Sequence, residues 1–547
     1  MLLTELTPIL RTYWPLLLLS ALAVHLLRNK FRNGLNRFPG HPLAAYTNWW
    51  RFFDALGRKA EKTHVALHRT YGDIIRLGPN VLSFADPRAI KIIYGLNKGM
   101  VKSDFYPVQQ AVVSISHTGT REVLIPVRAD STQAKGQRLQ SLFSTKDEDY
   151  HAKYRRCVNN AFAMSSLVGY EPLVDSTTDA FMEQTDKKYC ATGKSCNFSQ
   201  WLQFFAFDVI GELTWSKRLG FVERDEDVEG IVKFIGDFLS YAGPIGQQPF
   251  LDLLLEKNPI KLAMQRWGIS KTVFPVTRFA NDQAASRAAE MEKIKQEGSL
   301  DEGSGRGVDL LMKFTQAQHD HPDFMTDRQV LSSCTSMIFA GSETTAISLS
   351  SIFYHLVKHP RVYSKLMEEL DEAARNGTIA ERDYGKVSWA ESQKLPFLDA
   401  VIQESFRIHP AAGLILERVV PPQGIEILGE HIPGGTIVGC NAWVLHRRAE
   451  IFGNDVDTFR PERWLEAKPD RLKEMKATMF QFGAGARTCI GKNISLLEIY
   501  KLVPTLLRNF EVELEDPKRE WTTHNAWFVR QLDFNTLFKR RTLPHAA

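Results

Sequence analysis

The segment Phe482-Gly483-Ala484-Gly485-Ala486-Arg487-Thr488-Cys489-Ile490-Gly491 sets a lone cysteine between a glycine-rich turn and an amphipathic run, Lys492 to Leu507, whose pattern includes Ile494, Leu497 and Ile499. The glycines let backbone N–H groups approach the sulfur, the following helix points its positive end at it, and Arg487 adds a cation. Each of these favours a thiolate. Such a cysteine is a nucleophile or a metal ligand. A nucleophile needs a histidine base, which the sequence leaves open. Zinc and iron–sulfur clusters need further ligands, and no CxxC or HxxxH spacing lies beside Cys489. One thiolate suffices only where a macrocycle supplies the other ligands, which points to haem.

Three other patterns bear on this one. In Glu404-Ser405-Phe406-Arg407 the charges stand i, i+3 on one face of a helix expected from Leu395 towards Pro410. Alone, that spacing means an ion pair and no more. Phe459-Arg460-Pro461-Glu462-Arg463-Trp464 sets another arginine in a turn-like setting. Upstream, Thr326-Asp327-Arg328-Gln329 reads as a capping box that opens a helix running to about Val357, before His359-Pro360 breaks it. Its middle, Phe339-Ala340-Gly341-Ser342-Glu343-Thr344-Thr345, embeds an acid and two hydroxyls in an apolar stretch. Two readings stand side by side: a functional break in the helix, or a helix–helix contact at small residues with Glu343 in a salt bridge.

Together these residues resemble the cytochrome P450 family over essentially the whole chain. The pattern FxxGxRxCxG is met from Phe482 to Gly491, ExxR at Glu404 and Arg407, FxPxRW at Phe459, Pro461, Arg463 and Trp464, and the acid-threonine pattern at Ala340, Gly341, Glu343, Thr344 and Thr345, in the family's order. The chain looks most like fungal microsomal members of the pisatin demethylase-like group. The resemblance implies a mainly α fold with small β-sheets, a long distal helix and a cysteine-ligand loop. It makes Cys489 the axial thiolate of a haem b, with Phe482 and Gly491 among the cofactor-binding residues. Arg487, His151, Arg155 and Arg418 would hold the haem propionates, guanidinium groups suiting carboxylates in bidentate fashion. Glu404, Arg407 and Arg463 would form a structural triad rather than act in catalysis. Glu343 and Thr344 would sit over the iron and pass protons to bound oxygen.

By the same resemblance the chain inserts one atom of O2 into an apolar small molecule by hydroxylation, epoxidation or O-demethylation. No segment reads as a nucleotide-binding βαβ unit, so electrons would come from a separate NADPH-cytochrome P450 reductase. Lys153, Arg155, Arg156 and Lys492 offer that partner a basic surface, the alternative being charges that serve only propionates and solvent. Met337, Phe339, Ala340, Ala411 to Leu416 and Thr523 to Phe528 are the expected substrate contacts. The chain is expected to act as a monomer. A non-catalytic haem-binding membrane protein or pathway scaffold is the competing class, separated by oxygen-dependent product formation. A cysteine hydrolase would bind no haem at all.

Composition agrees with a folded enzyme. Apolar residues make 44% and charged residues 24% of 547, with 68 basic against 63 acidic side chains. That balance excludes a disordered chain, a multi-span membrane protein and a nucleic-acid binder. Cys157, Cys190, Cys196, Cys334, Cys440 and Cys489 form no disulfide framework. Residues 1–30 read as a membrane anchor, 31–45 as a basic Pro/Gly-containing linker, and 46–547 as the haem-thiolate domain. The apolar run Trp14 to Leu27 is followed by Arg28, Lys30, Arg32 and Arg37, so the domain would face the cytosol from the endoplasmic reticulum membrane. Fourteen residues give only about 21 Å, and extension back to Leu6 encloses Arg11. A cleaved signal peptide would want charge before the run and small residues after it.

Two departures from the family pattern stand out. Residues 112–133 lengthen the connection from Asp104-Phe105-Tyr106 to Gln137-Arg138-Leu139 beyond ordinary loops, either as a lid extension or as a translated intron. His446-Arg447-Arg448 stands where relatives carry His-Arg-Asp. Asn197-Phe198-Ser199 and Asn493-Ile494-Ser495 match the glycosylation pattern by chance.

Overall fold

The computed structural model describes residues 2–110, 140–266, 275–296 and 309–541, so residues 112–133 lie outside the described residues. Helices dominate, and the 32-residue helix Asp327–Lys358 is the axis about which they pack. Its start is the capping box expected from sequence, with the Thr326 side chain on the Gln329 backbone and the Gln329 side chain on the Thr326 backbone. Helix Phe198–Trp215 lies directly against it. The contact is close because position 341 is glycine: a Cβ there would stand 2.4 Å from Ile210 Cδ1. Helices Pro396–Ile408 and Lys492–Asn509 close other sides. Thr345 Oγ1 and Ser495 Oγ, 3.1 Å apart, tie the long helix to the helix that follows Cys489.

Beside the helices stands a five-stranded sheet in the spatial order Ile74–Gly78, Val81–Phe84, Ile437–Cys440, Arg418–Val419, Val101–Lys102. The first two strands form an antiparallel hairpin around Gly78-Pro79-Asn80, and the second pairs in parallel with Ile437–Cys440. Strand Arg418–Val419 runs antiparallel to Val101–Lys102, with Lys102 directly opposite Arg418. A smaller hairpin, Thr522–Asn525 with Val529–Leu532, turns through Trp527 and joins Phe528 to Ala412 by a β-bridge.

The N-terminal helix, Leu2–Lys30, corrects one expectation. Among the described residues no helix is long and apolar enough to cross a membrane, so a transmembrane span is not supported. The physical reason is in the sequence: the apolar run is short and lies between Arg11 and Arg28. The helix nonetheless exposes Tyr13, Trp14, Leu16, Leu17, Leu18 and Leu19. Buried Arg76 caps its last turn, donating to the carbonyls of Lys30 and Asn29 at 2.7 Å each.

The other departure now has a physical account. His446 Nε2 accepts from the Phe480 N–H at 2.7 Å, Arg447 Nη2 donates to the Ile408 carbonyl at 2.8 Å, and Arg448 pairs with Asp73 beside the hairpin and with Glu450. Arginine at 448 thus crosses to the hairpin strand, a reach aspartate could not make. Asn197 caps helix Phe198–Trp215, and Asn493 donates to the Phe162 carbonyl at 3.0 Å, which gives both side chains structural work.

Candidate active site

Cys489 is held by its own loop. Its N–H donates to the Phe482 carbonyl at 2.9 Å, and the Gly483 N–H donates to the Phe480 carbonyl at 2.9 Å. Gly483 and Gly485 adopt φ of 68° and 67°, a conformation that glycine takes without strain. At Gly485 even a methyl is excluded, since its Cβ would lie 1.7 Å from the Tyr94 carbonyl oxygen. The loop is set among packed elements, yet Cys489 itself is exposed on one side. Burial pushes the thiol up, while the N–H groups of Gly491 and Lys492 and the Arg155 guanidinium favour the thiolate. Phe482 packs edge-on against Phe406 at 5.5 Å. Gly491 precedes the helix Lys492–Asn509 and has open space where a Cβ would stand.

Around this loop cations accumulate. Arg155 Nη1 donates to the Thr488 carbonyl at 2.7 Å. Arg487 pairs with Glu148 at 2.7 Å. His151 is 3% exposed and is pushed down to about 3 by burial and by Arg487, Lys102, Arg155 and Arg418, so it stays neutral. Arg418 Nη1 donates to the Glu417 carbonyl at 2.8 Å, and its guanidinium lies 5.0 Å from the Tyr94 ring centroid. The structure therefore brings Arg155, Arg487, His151 and Arg418 into one electrostatic neighbourhood, joined by Lys102, which sequence reasoning missed. Among the described residues, these cations with Glu148 as the carboxylate paired into them fit a ligand that bears carboxylates. With an open cysteine sulfur beside them, the donor set suits a haem and its propionates.

The long helix presents Ala340 and Thr344 on one face, one turn apart. Ala340 is exposed although it lies in the middle of a packed helix, and Thr344 is half-buried with its Oγ1 donating to the Ala340 carbonyl at 2.8 Å. Glu343, the neighbour of Thr344 in the chain, is engaged elsewhere. It is buried in an ion pair with Arg530, whose Nη2 donates to Oε2 at 2.7 Å, and it accepts from Gln203 Nε2 at 2.5 Å. For Gly341 and Glu343 the helix–helix reading with a salt bridge is what the structure contains.

Glu404, Arg407 and Arg463 meet in a buried cluster. Arg407 Nε and Nη2 donate to the two carboxylate oxygens of Glu404 at 2.9 and 2.7 Å, and Arg463 Nε donates to Oε1 at 2.9 Å. Trp464 Nε1 and the Arg460 N–H add to the same carboxylate at 2.9 and 3.0 Å. Arg407 Nη1 reaches the His446 carbonyl at 3.0 Å, and His446 in turn holds the Phe480 N–H. The cluster thus braces the start of the cysteine loop. Lys153, Arg156 and Lys492 are exposed, whereas Arg155 is half-buried on the loop.

Comparison with known proteins agrees with this geometry. The family described as Cytochrome P450 matches residues 106–534. A cytochrome P450 monooxygenase of Aspergillus terreus is 39% identical, covering 89% of this chain and 92% of that protein. The cytochrome P450 monooxygenase cicH of Emericella nidulans is 37% identical over 96% of this chain and 97% of its own length. The monooxygenase mpaDE of Penicillium roqueforti is 35% identical over 93% of this chain but over 55% of a longer protein.

Proposed function

Since the chain belongs to the cytochrome P450 family and is a haem-thiolate monooxygenase, we propose that it places one oxygen atom of O2 into an apolar small molecule, by hydroxylation, epoxidation or O-demethylation. The observation that carries this reading is the cluster of Arg155, Arg487, Arg418 and neutral His151 beside the loop that holds Cys489. Cys489 would hold a haem b, which would supply the iron chemistry that activates oxygen. Arg155, Arg487 and Arg418 bind its carboxylates, and neutral His151 can donate one further hydrogen bond. The Thr344 hydroxyl, released from the Ala340 carbonyl, orients and passes a proton on the oxygen side. Glu343 stays on Arg530 and Gln203 and acts at one remove, by fixing the helix that carries Thr344. Ala340, Phe339, Leu416 and Phe528 give the substrate apolar walls that exclude water.

Electrons come from a separate membrane-bound NADPH-dependent reductase, docked on the exposed Lys153, Arg156 and Lys492. The chain works as a monomer at the endoplasmic reticulum membrane with its domain in the cytosol. The exposed apolar side chains of helix Leu2–Lys30 support that attachment. A place in fungal secondary metabolism or detoxification rests on the pisatin demethylase-like resemblance and on the fungal sources of the relatives. The test is turnover in vesicles containing reductase, NADPH and O2. Thr344→Ala is expected to lower product formed per NADPH consumed by about a hundredfold, and a chain lacking residues 1–30 to stay in the soluble fraction. Unchanged coupling in Thr344→Ala would remove the proton role from Thr344, and a truncated chain still bound to vesicles would remove the attachment from the N-terminal helix.

A further inference from the structure

Helix Ile231–Ile245 approaches the hairpin Thr522–Asn525 with Val529–Leu532 at two glycines. A Cβ at Gly243 would stand 3.2 Å from the Ala526 backbone, and one at Gly236 would stand 2.6 Å from Arg530 Nη1. Three side chains able to carry positive charge gather on this seam. Arg530 stands directly opposite His524 in the hairpin, so the two share one face of it. Arg58 enters beside them: its carbonyl accepts from the Asn525 N–H at 3.0 Å, and its Nη2 donates to the Ser240 carbonyl at 2.8 Å. Burial, Arg58 and Arg530 together hold the His524 imidazole below its ordinary value, so it is uncharged at neutral pH. The carboxylates nearby are already engaged. Glu343 accepts from Arg530 Nε and Nη2, which leaves Nη1 against Gly236. Glu61 accepts from Asn525 at 2.8 Å, and Asp237 pairs with Lys233. Arg58 has no carboxylate partner among the described residues, and its Nη1 is buried without a hydrogen bond. Burial lowers the Arg58 guanidinium, a cost that an anion on the seam would offset.

We infer that the substrate is an apolar body bearing a carboxylate, and that the guanidinium groups of Arg58 and Arg530 hold that carboxylate between the helix and the hairpin. The inference rests on the monooxygenase reading above and names the class of its substrate, an acid rather than a neutral hydrocarbon. Gly236 and Ser240, against which the two arginines stand, are four residues apart, about 6 Å along a helix, a spacing that one carboxylate bridges. Guanidinium N–H groups match carboxylate geometry, so they orient the substrate as well as bind it. The apolar walls adjoin the seam. Phe528 lies two residues before Arg530, and Phe339 meets Phe238 of the same helix edge-on at 5.4 Å. The acid end is thereby anchored while the apolar body lies along those walls towards Thr344.

The experiment is equilibrium dialysis of the haem-loaded full chain at neutral pH against naphthalene-2-carboxylate and dodecanoate, each compared with its methyl ester. The parent is expected to bind at least one acid about tenfold to a hundredfold more tightly than its ester. Arg58→Gln should bind that acid and its ester alike, while Arg58→Lys keeps a preference for the acid. If circular dichroism shows that Arg58→Gln does not fold, His524→Asp takes its place, since a negative charge facing both guanidinium groups should likewise erase the preference. Esters bound as tightly as their acids in both pairs, or a preference that survives in the variant, overturn the inference alone. A parent chain that takes up no haem overturns the monooxygenase reading and the substrate assignment with it.

Discussion

Cys489→Ala is expected to lose all oxygen- and NADPH-dependent product formation while keeping the fold. The loop that carries Cys489 is held by backbone hydrogen bonds, from Cys489 N–H to the Phe482 carbonyl and from Gly483 N–H to the Phe480 carbonyl, and alanine keeps both. Alanine also fits the space, since the side chain is open on one side. The thermal stability of the two chains, compared without haem, should differ by no more than about 1 kcal/mol. What disappears is the sulfur donor beside the cation cluster. A variant with parental turnover would show that the chemistry lies elsewhere in the chain, and a variant that fails to fold would give Cys489 a structural role that its open side argues against.

The second large effect is structural. Glu404→Gln should destabilise the chain by about 3–5 kcal/mol, a large share of the net stability of an ordinary domain. Burial alone would raise the Glu404 carboxyl, but Arg407, Arg463 and the Arg460 N–H outweigh it, and its pKa lies below the ordinary glutamate value. Removing the charge leaves two buried guanidinium groups against a neutral amide. The sign of the pH dependence follows from that depressed pKa. The contribution is complete above the unfolded-state value and is lost as pH falls through the lower folded-state value. Thermal unfolding of parent and variant should therefore differ at neutral pH and converge in acid. Because Arg407 also carries the His446 carbonyl, and His446 the Phe480 N–H, the variant should lose haem as well as stability. A stability loss below about 1 kcal/mol would reduce the cluster to ordinary ion pairing.

The parts of this site that sequence made legible are those whose partners are local or whose chemistry is unusual. The capping box at Thr326 and Gln329 needs three residues of spacing, and the Glu404–Arg407 pair a single helical turn. Cys489 declares itself through flanking glycines. Arg463 could be joined to Glu404 only through the family pattern, because the two are far apart in the chain. Lys102 was invisible: it lies in a two-residue strand, and its meaning comes from Arg418 across a long-range pair. The ion pair of Glu343 could not be read from its motif, because Arg530 arrives from the C-terminal hairpin, far away in the chain. Arg448 needed Asp73, a partner far away in sequence. In the N-terminal helix the run of leucines suggests a span, yet no described helix is long and apolar enough to cross a membrane.

The central claim, a haem held through the Cys489 sulfur, is tested most directly by the absorption spectrum of the full chain after reduction and addition of carbon monoxide. The account predicts a strongly red-shifted Soret band, the signature of a haem held by a thiolate, present in the parent and absent from Cys489→Ala. A parent spectrum without that shift, or a chain that binds no haem, would contradict it.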